Sequence, residues 1–431
     1  MNCGKPRVAL FGHFGQSNFG NESTLQAILH NIRQLMPDAE FTCICTGPDA
    51  VATDYKITAV PSSDYLMKAW TLRNPLARLA RKLVVGMPTE LYRWLKSLKT
   101  LWGTDALIVP GTGLLTDAYT LFGWGPYDMF RWSAVAKLCR CKLVFVSVGA
   151  GPLYGVIGRF FVNSALSLAD FRSYRDDSSK RYLEGIGFRT GNDAVYPDLA
   201  FSLPESLLRG CKHANEYRLV VGLGLMEYAG KYSVESPTSA VYSAYLETLV
   251  EFVRWLLGHE NDVRLLIGAL VDTTVLREFK SLLKERIFTD DLERVIDEPI
   301  ESVEDLLSQL AATDLVVATR FHNVLLSLLL NKPVIAISFH HKCSSLMSQM
   351  GLAEYCQDIN SLNADRLIEQ FCLLQQNADS VKHMIKEKVE ACRDALDEQY
   401  VTILREIYPD RPQASAPATE LQHRTNSNVL S

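Results

Sequence analysis

Residues 314 to 342 carry the densest chemistry in the chain: D-L-V-V-A-T-R-F-H-N, then a nearly all-apolar run, then P-V-I-A-I-S-F-H-H-K. A buried strand here empties into Thr319-Arg320-Phe321-His322-Asn323, and a helix starts at once. Unpaired N–H groups and the positive end of a helix favour anions at such a point. An arginine adds a planar two-point anchor for carboxylate or phosphate, and a histidine adds a group able to move protons near neutral pH. On spacing alone a capped structural Arg/His pair fits equally well.

Three earlier strand ends offer matching features. The first strand runs into Gly12-His13-Phe14-Gly15-Gln16-Ser17-Asn18-Phe19-Gly20-Asn21-Glu22, a glycine-rich turn into a helix that can cradle an anion or a sugar. His13, Asn18 and Glu22 are its polar candidates. The spacing is not G-x-G-x-x-G and no ribose carboxylate follows a second strand, which argues against a dinucleotide. Residues 110–117, P-G-T-G-L-L-T-D, repeat the logic, with Gly113 opening the backbone and Asp117 at the edge. A carboxylate there would serve a sugar hydroxyl as a base or cap a helix. Arg175 stands at the tip of a fourth strand, in S-Y-R-D-D-S.

Short apolar runs alternating with helix-length segments must position these groups. Strands are expected at 6–12, 41–46, 105–109, 142–149 and 171–175, with helices near 21–36, 126–139, 154–168 and 177–186. After a turn-rich stretch at 187–216 a second series follows, with strands near 218–225, 263–269, 294–297, 314–318 and 333–338. Runs apolar on both faces suit covered parallel sheets. Two such series predict an α/β fold of two Rossmann-like doubly wound domains facing a crevice, rather than one (β/α)₈ barrel. The expected division is 1–195, 196–362 with the R-x-H segment, helices over 363–408, and a mobile tail over 409–431.

A length of 431 residues fits two or three domains of about 150 each. Forty-four basic against 49 acidic residues leave a net charge of −5, so nothing global favours nucleic acid. The N-terminus lacks the pattern of a signal peptide and no run reaches the length of a membrane span, so a cytoplasmic chain is expected. Cys43/Cys45 and Cys139/Cys141 have a spacing unusual for zinc, and buried reduced thiols are the expectation.

Taken in order, the motifs resemble those of the polysaccharide pyruvyl transferase family. They are Asn18-Phe19-Gly20-Asn21-Glu22, Gly111-Thr112-Gly113 with Asp117, Arg175-Asp176-Asp177-Ser178, and Arg320-Phe321-His322 with Pro333-Val334-Ile335-Ala336-Ile337-Ser338. Two departures stand out: Asn21 in place of aspartate, and His340-His341 where Asp-Pro is common before the lysine matching Lys342. The resemblance implies a GT-B-like domain pair that moves a pyruvyl group from phosphoenolpyruvate to two hydroxyls of one sugar, forming a cyclic ketal and phosphate. It implies His322, Arg320 and Asp117 as catalytic residues, and Arg175, Arg320, Phe321 and Lys342 around the donor. The acceptor would be a polymeric or lipid-linked glycan, with phosphoenolpyruvate as co-substrate and no cofactor or metal required.

Two other functions fit the same architecture: a GT-B glycosyltransferase with a nucleotide-sugar donor, and a non-catalytic anion- or glycan-binding protein. Residues 65–100 form a separate feature. Lys68, Arg73, Arg78, Arg81, Lys82, Arg93, Lys96 and Lys99 stand against Glu90 alone, interleaved with leucines and aromatics. This predicts two short helices, broken at Pro75 and Pro88, in peripheral contact with an anionic membrane.

Overall fold

The protein is described from a computed structural model covering residues 5–63, 85–117, 124–208, 218–228 and 239–409. The first sheet contains β1 (Arg7–Gly12), β2 (Glu40–Cys45), β3 (Thr58–Pro61), β4 (Ala106–Pro110), β5 (Lys142–Val148), β6 (Phe171–Tyr174) and β7 (Ala194–Val195). The second contains β8 (Val220–Leu225), β9 (Asp262–Ile267), β10 (Val295–Ile296), β11 (Leu315–Ala318), β12 (Val334–Ser338) and β13 (Cys356–Asp358). Strand orders are β3-β2-β1-β4-β5-β6-β7 and β10-β9-β8-β11-β12-β13. Each reverses direction once, between β1 and β4 and between β8 and β11, and ligands of open parallel sheets bind at such points.

The central strands are buried on both faces: ALIVP in β4, VVGLGL in β8 and VIAIS in β12 have no exposed residue. Helices cover these faces, and local chemistry sets where they start. Asn18 caps the helix Phe19–Leu35 by accepting from Gly20 and Asn21 N–H. Asp176 caps Asp177–Gly185 through Ser179 N–H, and Ser302 with Asp305 forms a capping box for Val303–Ala311. The edge strands β3, β7 and β13 are short, as parallel sheets permit where fewer neighbours need pairing.

Loop-to-loop backbone bonds and a returning helix are among the connections that join the two sheets. The loop before Phe19–Leu35 hydrogen-bonds the loop after β9: Phe19 N–H donates to Gly268 O (3.1 Å) and Leu270 N–H to Ser17 O (3.1 Å). The long C-terminal helix Ala378–Ile407 then returns to the first sheet. Its buried Gln399 donates to Ser173 Oγ (2.7 Å) and pairs with Ser147 Oγ (3.1 Å), while Glu406 meets Lys142 at 2.8 Å. Residues 410–431, expected as a tail, lie outside the described residues.

Replacing Gln399 by Leu strands the buried Ser147 hydroxyl. It should cost about 1–3 kcal/mol in urea denaturation, because an unpaired buried hydroxyl pays its desolvation in full. An unchanged midpoint would show that this helix contributes no anchoring.

Candidate active site

Strand β11 ends at Ala318, and the chain turns through Thr319 and Arg320 into the helix Phe321–Leu329. Arg320 occupies the N-cap position with extended backbone. Its guanidinium does not stand open as an anion anchor, as the sequence suggested. Nε and Nη2 fork onto Asp272, at 2.5 and 2.6 Å, and Asp272 is fully buried. A bidentate pair of this kind holds two strand ends in register and takes up the planar face that a substrate carboxylate would want.

The His322 side chain is one-fifth exposed. A methyl group at Gly20 would stand 1.9 Å from Nδ1, so the imidazole rests directly on the glycine backbone of the first domain's loop. Only a residue without a Cβ permits that approach. Nε2 is buried, has no hydrogen-bond partner, and sits 4.0 Å from Asp198 Oδ2. Burial lowers the imidazole pKa to about 4; Asp198 opposes the shift, and Arg175, Lys342 and Arg320 deepen it. The resting side chain is neutral across the physiological range, poised to accept a proton rather than to supply one.

Arg175 leaves the tip of β6 and is buried. Its Nη1 donates to Asp198 Oδ2 (2.8 Å), Asp176 lies 3.6 Å from Nε, and the guanidinium carbon sits 4.8 Å above the Phe321 ring. Phe321 thereby acts as an aromatic platform for the cation. A methyl at Gly149 would come within 2.6 Å of Arg175 Nη2, so the β5 end is trimmed to let the guanidinium pass.

Lys342 comes from the helix His341–Gln349 after β12, and a methyl at Gly113 would lie 3.7 Å from its Nζ. Among the described residues the ammonium makes no hydrogen bond or ion pair. Burial and the neighbouring Arg175 lower its pKa to about 8, against the pull of Asp176 and Asp198. His340 caps the same helix by accepting from Lys342 N–H, and burial with the Lys342 charge lowers its pKa to about 3. A cavity of about 270 Å³ opens beside Arg175, Asp198, Phe321 and Lys342, reaching Lys388 of the long C-terminal helix. That is near the lower end of sites for small organic ligands, roughly 300–1,000 Å³.

The structure therefore gathers Gly113, Arg175, Phe321, His322 and Lys342 from four strand ends. Other expected residues do different work. Both oxygens of Asp117 accept backbone N–H groups, from Tyr154 and Gly155 at 2.8 Å each, which fixes the loop before the helix Val156–Ser167. The N-cap residue of that helix is Gly155, so Asp117 is neither the cap of a helix of its own nor a base with open oxygens, but a brace from a distant loop. Glu22 accepts from Gly15 N–H (2.7 Å) and Tyr55 OH (3.3 Å), and burial raises its pKa. It closes the glycine loop on itself. Asn18 is the cap already described, and His13 is exposed, with its carbonyl accepting from Asn21 Nδ2 (2.9 Å).

Asp198 and Asp272 were not legible in the sequence. Asp198 follows Tyr196-Pro197 beyond β7, faces Arg175 and His322, and accepts from Ala200 N–H (3.0 Å). Asp272 follows β9 and meets Arg320 from 48 residues away. Turn composition is the local mark of each, and it says nothing about a distant partner. Among the described residues, no three His, Cys, Asp or Glu side chains are grouped to hold a metal ion.

Two parallel α/β domains of this topology make up the GT-B-like class of fold. Solved structures of this class superpose over nearly the whole chain. A putative UDP-N-acetylglucosamine 2-epimerase from Listeria monocytogenes gives a TM-score of 0.63 at 14% identity, covering 96% of this chain and 100% of that one. A glycosyltransferase from Rickettsia africae gives 0.55 at 12%, covering 94% and 100%. At such identities the likeness concerns the fold alone. The sequence profile of the polysaccharide pyruvyl transferase family matches residues 18–341, and the chain belongs to that family. The amylovoran biosynthesis protein AmsJ of Erwinia amylovora is 20% identical over 421 residues, 89% of this chain and 95% of its own length.

Two predictions arise from this geometry. Gly20→Ala should abolish most turnover, measured as kcat/KM, while leaving the thermal midpoint within a few degrees, because the methyl meets a partly exposed ring that can swing away. Asp272→Asn should instead destabilise the fold by about 3–5 kcal/mol, since it leaves the Arg320 charge without its partner. Urea titration separates the two, and a stable Asp272→Asn variant would contradict the role given to the pair.

Proposed function

We propose that the protein transfers a pyruvyl group from phosphoenolpyruvate to two hydroxyls of one sugar in a polysaccharide or its lipid-linked precursor. The observation that carries this reading is the meeting of Arg175 and the Nε2 of His322 at one oxygen of Asp198, at 2.8 and 4.0 Å, beside a cavity lined by Lys342, whose ammonium has no partner among the described residues. A compact polyanion would satisfy the two cations, and membership of the pyruvyl transferase family fits such a donor.

In the proposed reaction the enol methylene gains a proton and a sugar hydroxyl adds to the neighbouring carbon. The C–O bond to phosphate then breaks, and a second hydroxyl closes the ketal. The two hydroxyls lose two protons in all, one of which balances the proton gained by the methylene and the other of which departs with phosphate, and neutral His322 relays them by accepting at Nε2 and passing them on. Asp198, 4.0 Å away, stabilises the imidazolium so formed. Arg175 and Lys342 hold the phosphate and carboxylate charges and neutralise the leaving group. Arg320 acts indirectly, by fixing the start of the helix that carries His322.

Incubation with phosphoenolpyruvate and candidate glycans should give a product heavier by C₃H₂O₂ together with free phosphate. Phosphate without a ketal, or a sugar transferred from a nucleotide donor, would overturn the proposal. His322→Gln should lower kcat about 10²–10⁴-fold with a smaller change in donor affinity. Lys342→Met should mainly weaken phosphoenolpyruvate binding.

The pH profile has a definite sign. Activity requires neutral His322 and protonated Lys342, so kcat/KM should fall below about pH 4 and above about pH 8, the values set by their surroundings. An acid limb near 6.5, the ordinary histidine value, would contradict the burial of the ring. Stability follows the same histidine. Between its ordinary pKa and about 4 the unfolded chain takes up a proton that the folded one refuses, so stability drops as the medium is acidified. His322→Gln should flatten that slope.

A further inference from the structure

The helix Met87–Leu101 packs Trp94, Leu98 and Leu101 on the first domain's core and leaves a second apolar row facing outward. Arg93, Ser97 and Leu101, spaced by four, form its buried face, and Arg93 is 4% exposed. Arg93 pairs with Glu90 (3.1 Å) and Asp128 (3.2 Å), and the buried Arg131 shares Asp128 at 3.0 Å. The sequence had counted Arg93 among charges free to meet a membrane; an ion-pair network beneath the helix uses it instead. The outward row is apolar: Met87, Leu91 and Leu95 are 65%, 63% and 57% exposed, and Trp102 just past the helix end is 75% exposed.

Hydrophobic residues scattered singly over a surface need no explanation, whereas a row at helical spacing with charges buried behind it does. Beside this row runs a groove of about 930 Å³ between the helix and the starts of β1, β2 and β3. Arg7, Arg33, Lys56, Lys96 and Lys99 line it, and Glu40 is the one carboxylate in that lining. Glu40 is itself paired with Lys5 at 3.8 Å. The groove lies at the amino ends of these strands, away from the carboxyl-end crevice that holds His322, so the proposed chemistry does not account for it. No helix among the described residues is long and apolar enough to cross a membrane.

We infer that this face docks on an anionic lipid surface, with Met87, Leu91 and Leu95 entering the headgroup region and the groove cations meeting lipid phosphates. The charge pattern selects this occupant. A second copy of the chain would bring the same positive groove against itself under two-fold symmetry, whereas an anionic bilayer complements apolar row and cations together. The segment 64–84, which holds the rest of the basic stretch, lies outside the described residues and is not needed for the inference.

The test is sedimentation of the full chain with vesicles of phosphatidylcholine alone and of phosphatidylcholine with about 30% phosphatidylglycerol. Binding should require the anionic lipid and fall at least about tenfold between low and physiological salt. Leu91→Ser with Leu95→Ser should reduce it about tenfold or more, as should Lys56→Glu with Lys99→Glu. Unaltered thermal midpoints would show that the fold is retained in both double variants. Equal binding to neutral vesicles, no binding at low salt, or an unchanged affinity in both double variants would overturn the inference. So would a concentration-dependent dimer in vesicle-free buffer that the leucine variants dissociate. Sedimentation reads no turnover, so its outcome is independent of the pyruvyl reaction.

Discussion

A carboxylate removed from water must have its lone pairs met, and Asp272 meets them with five hydrogen bonds: two from Arg320 and one each from the N–H groups of Glu227, Gly268 and Ala269. These donors come from the ends of β8, β9 and β11, the strands at the switch point of the second sheet. Removing one member would leave an uncompensated buried charge. The network therefore fixes where the helix after β11 begins, and with it the direction of His322. The loop it immobilises also carries Gly268 and Leu270, whose backbone groups bond the glycine loop of the first domain. One ion pair thus shapes the second domain's crevice edge and the seam between the domains.

The neighbouring cluster is balanced differently. Arg175 has Asp198 and Asp176 close by, but Lys342 adds a second cation with no ion pair among the described residues. His322 responds by staying neutral, because protonating it would put a third positive charge in a poorly solvated space. An arriving anion relieves this imbalance. It would raise the proton affinity of both Lys342 and His322, which in the proposed reaction would make the imidazole a stronger base once the donor is bound.

Much of the scaffold was legible because its signals are local. Continuous apolar runs such as VALF, ALIV and VVGLGL mark covered parallel strands, and glycines mark the turns after them. The edge strands β3, β7 and β13 span four, two and three residues, too short for a pattern to rise above the surrounding loops. Site residues followed the same division. Arg175 and His322 stood out from their places at a strand end and a helix start, and Lys342 through the family resemblance. The partners that decide their roles could not, since Asp272 meets Arg320 across 48 residues and Asp198 meets Arg175 across 23. Arg93 was misread for the same reason, as its partner Asp128 lies beyond the segment whose charges were being weighed.

The placement of His322 also accounts for the use of two domains where one Rossmann-like unit could hold a small anion. Its Nδ1 edge rests on Gly20 of the first domain, while its backbone belongs to the second. Neither domain alone would both bury the ring and surround Nε2 with Arg175, Asp198 and Lys342. The low proton affinity that keeps the imidazole neutral is consequently a property of the closed pair. Opening the seam would hydrate the ring and return its proton affinity toward that of an ordinary imidazole, so that it would begin to charge near pH 6.5 instead of about pH 4. The backbone bonds at Gly268 and Ser17, together with the return of the C-terminal helix to Ser147 and Ser173, oppose that opening. Domain closure and the proton affinity of one imidazole are in this way coupled, because the seam that closes is also what keeps water from the ring.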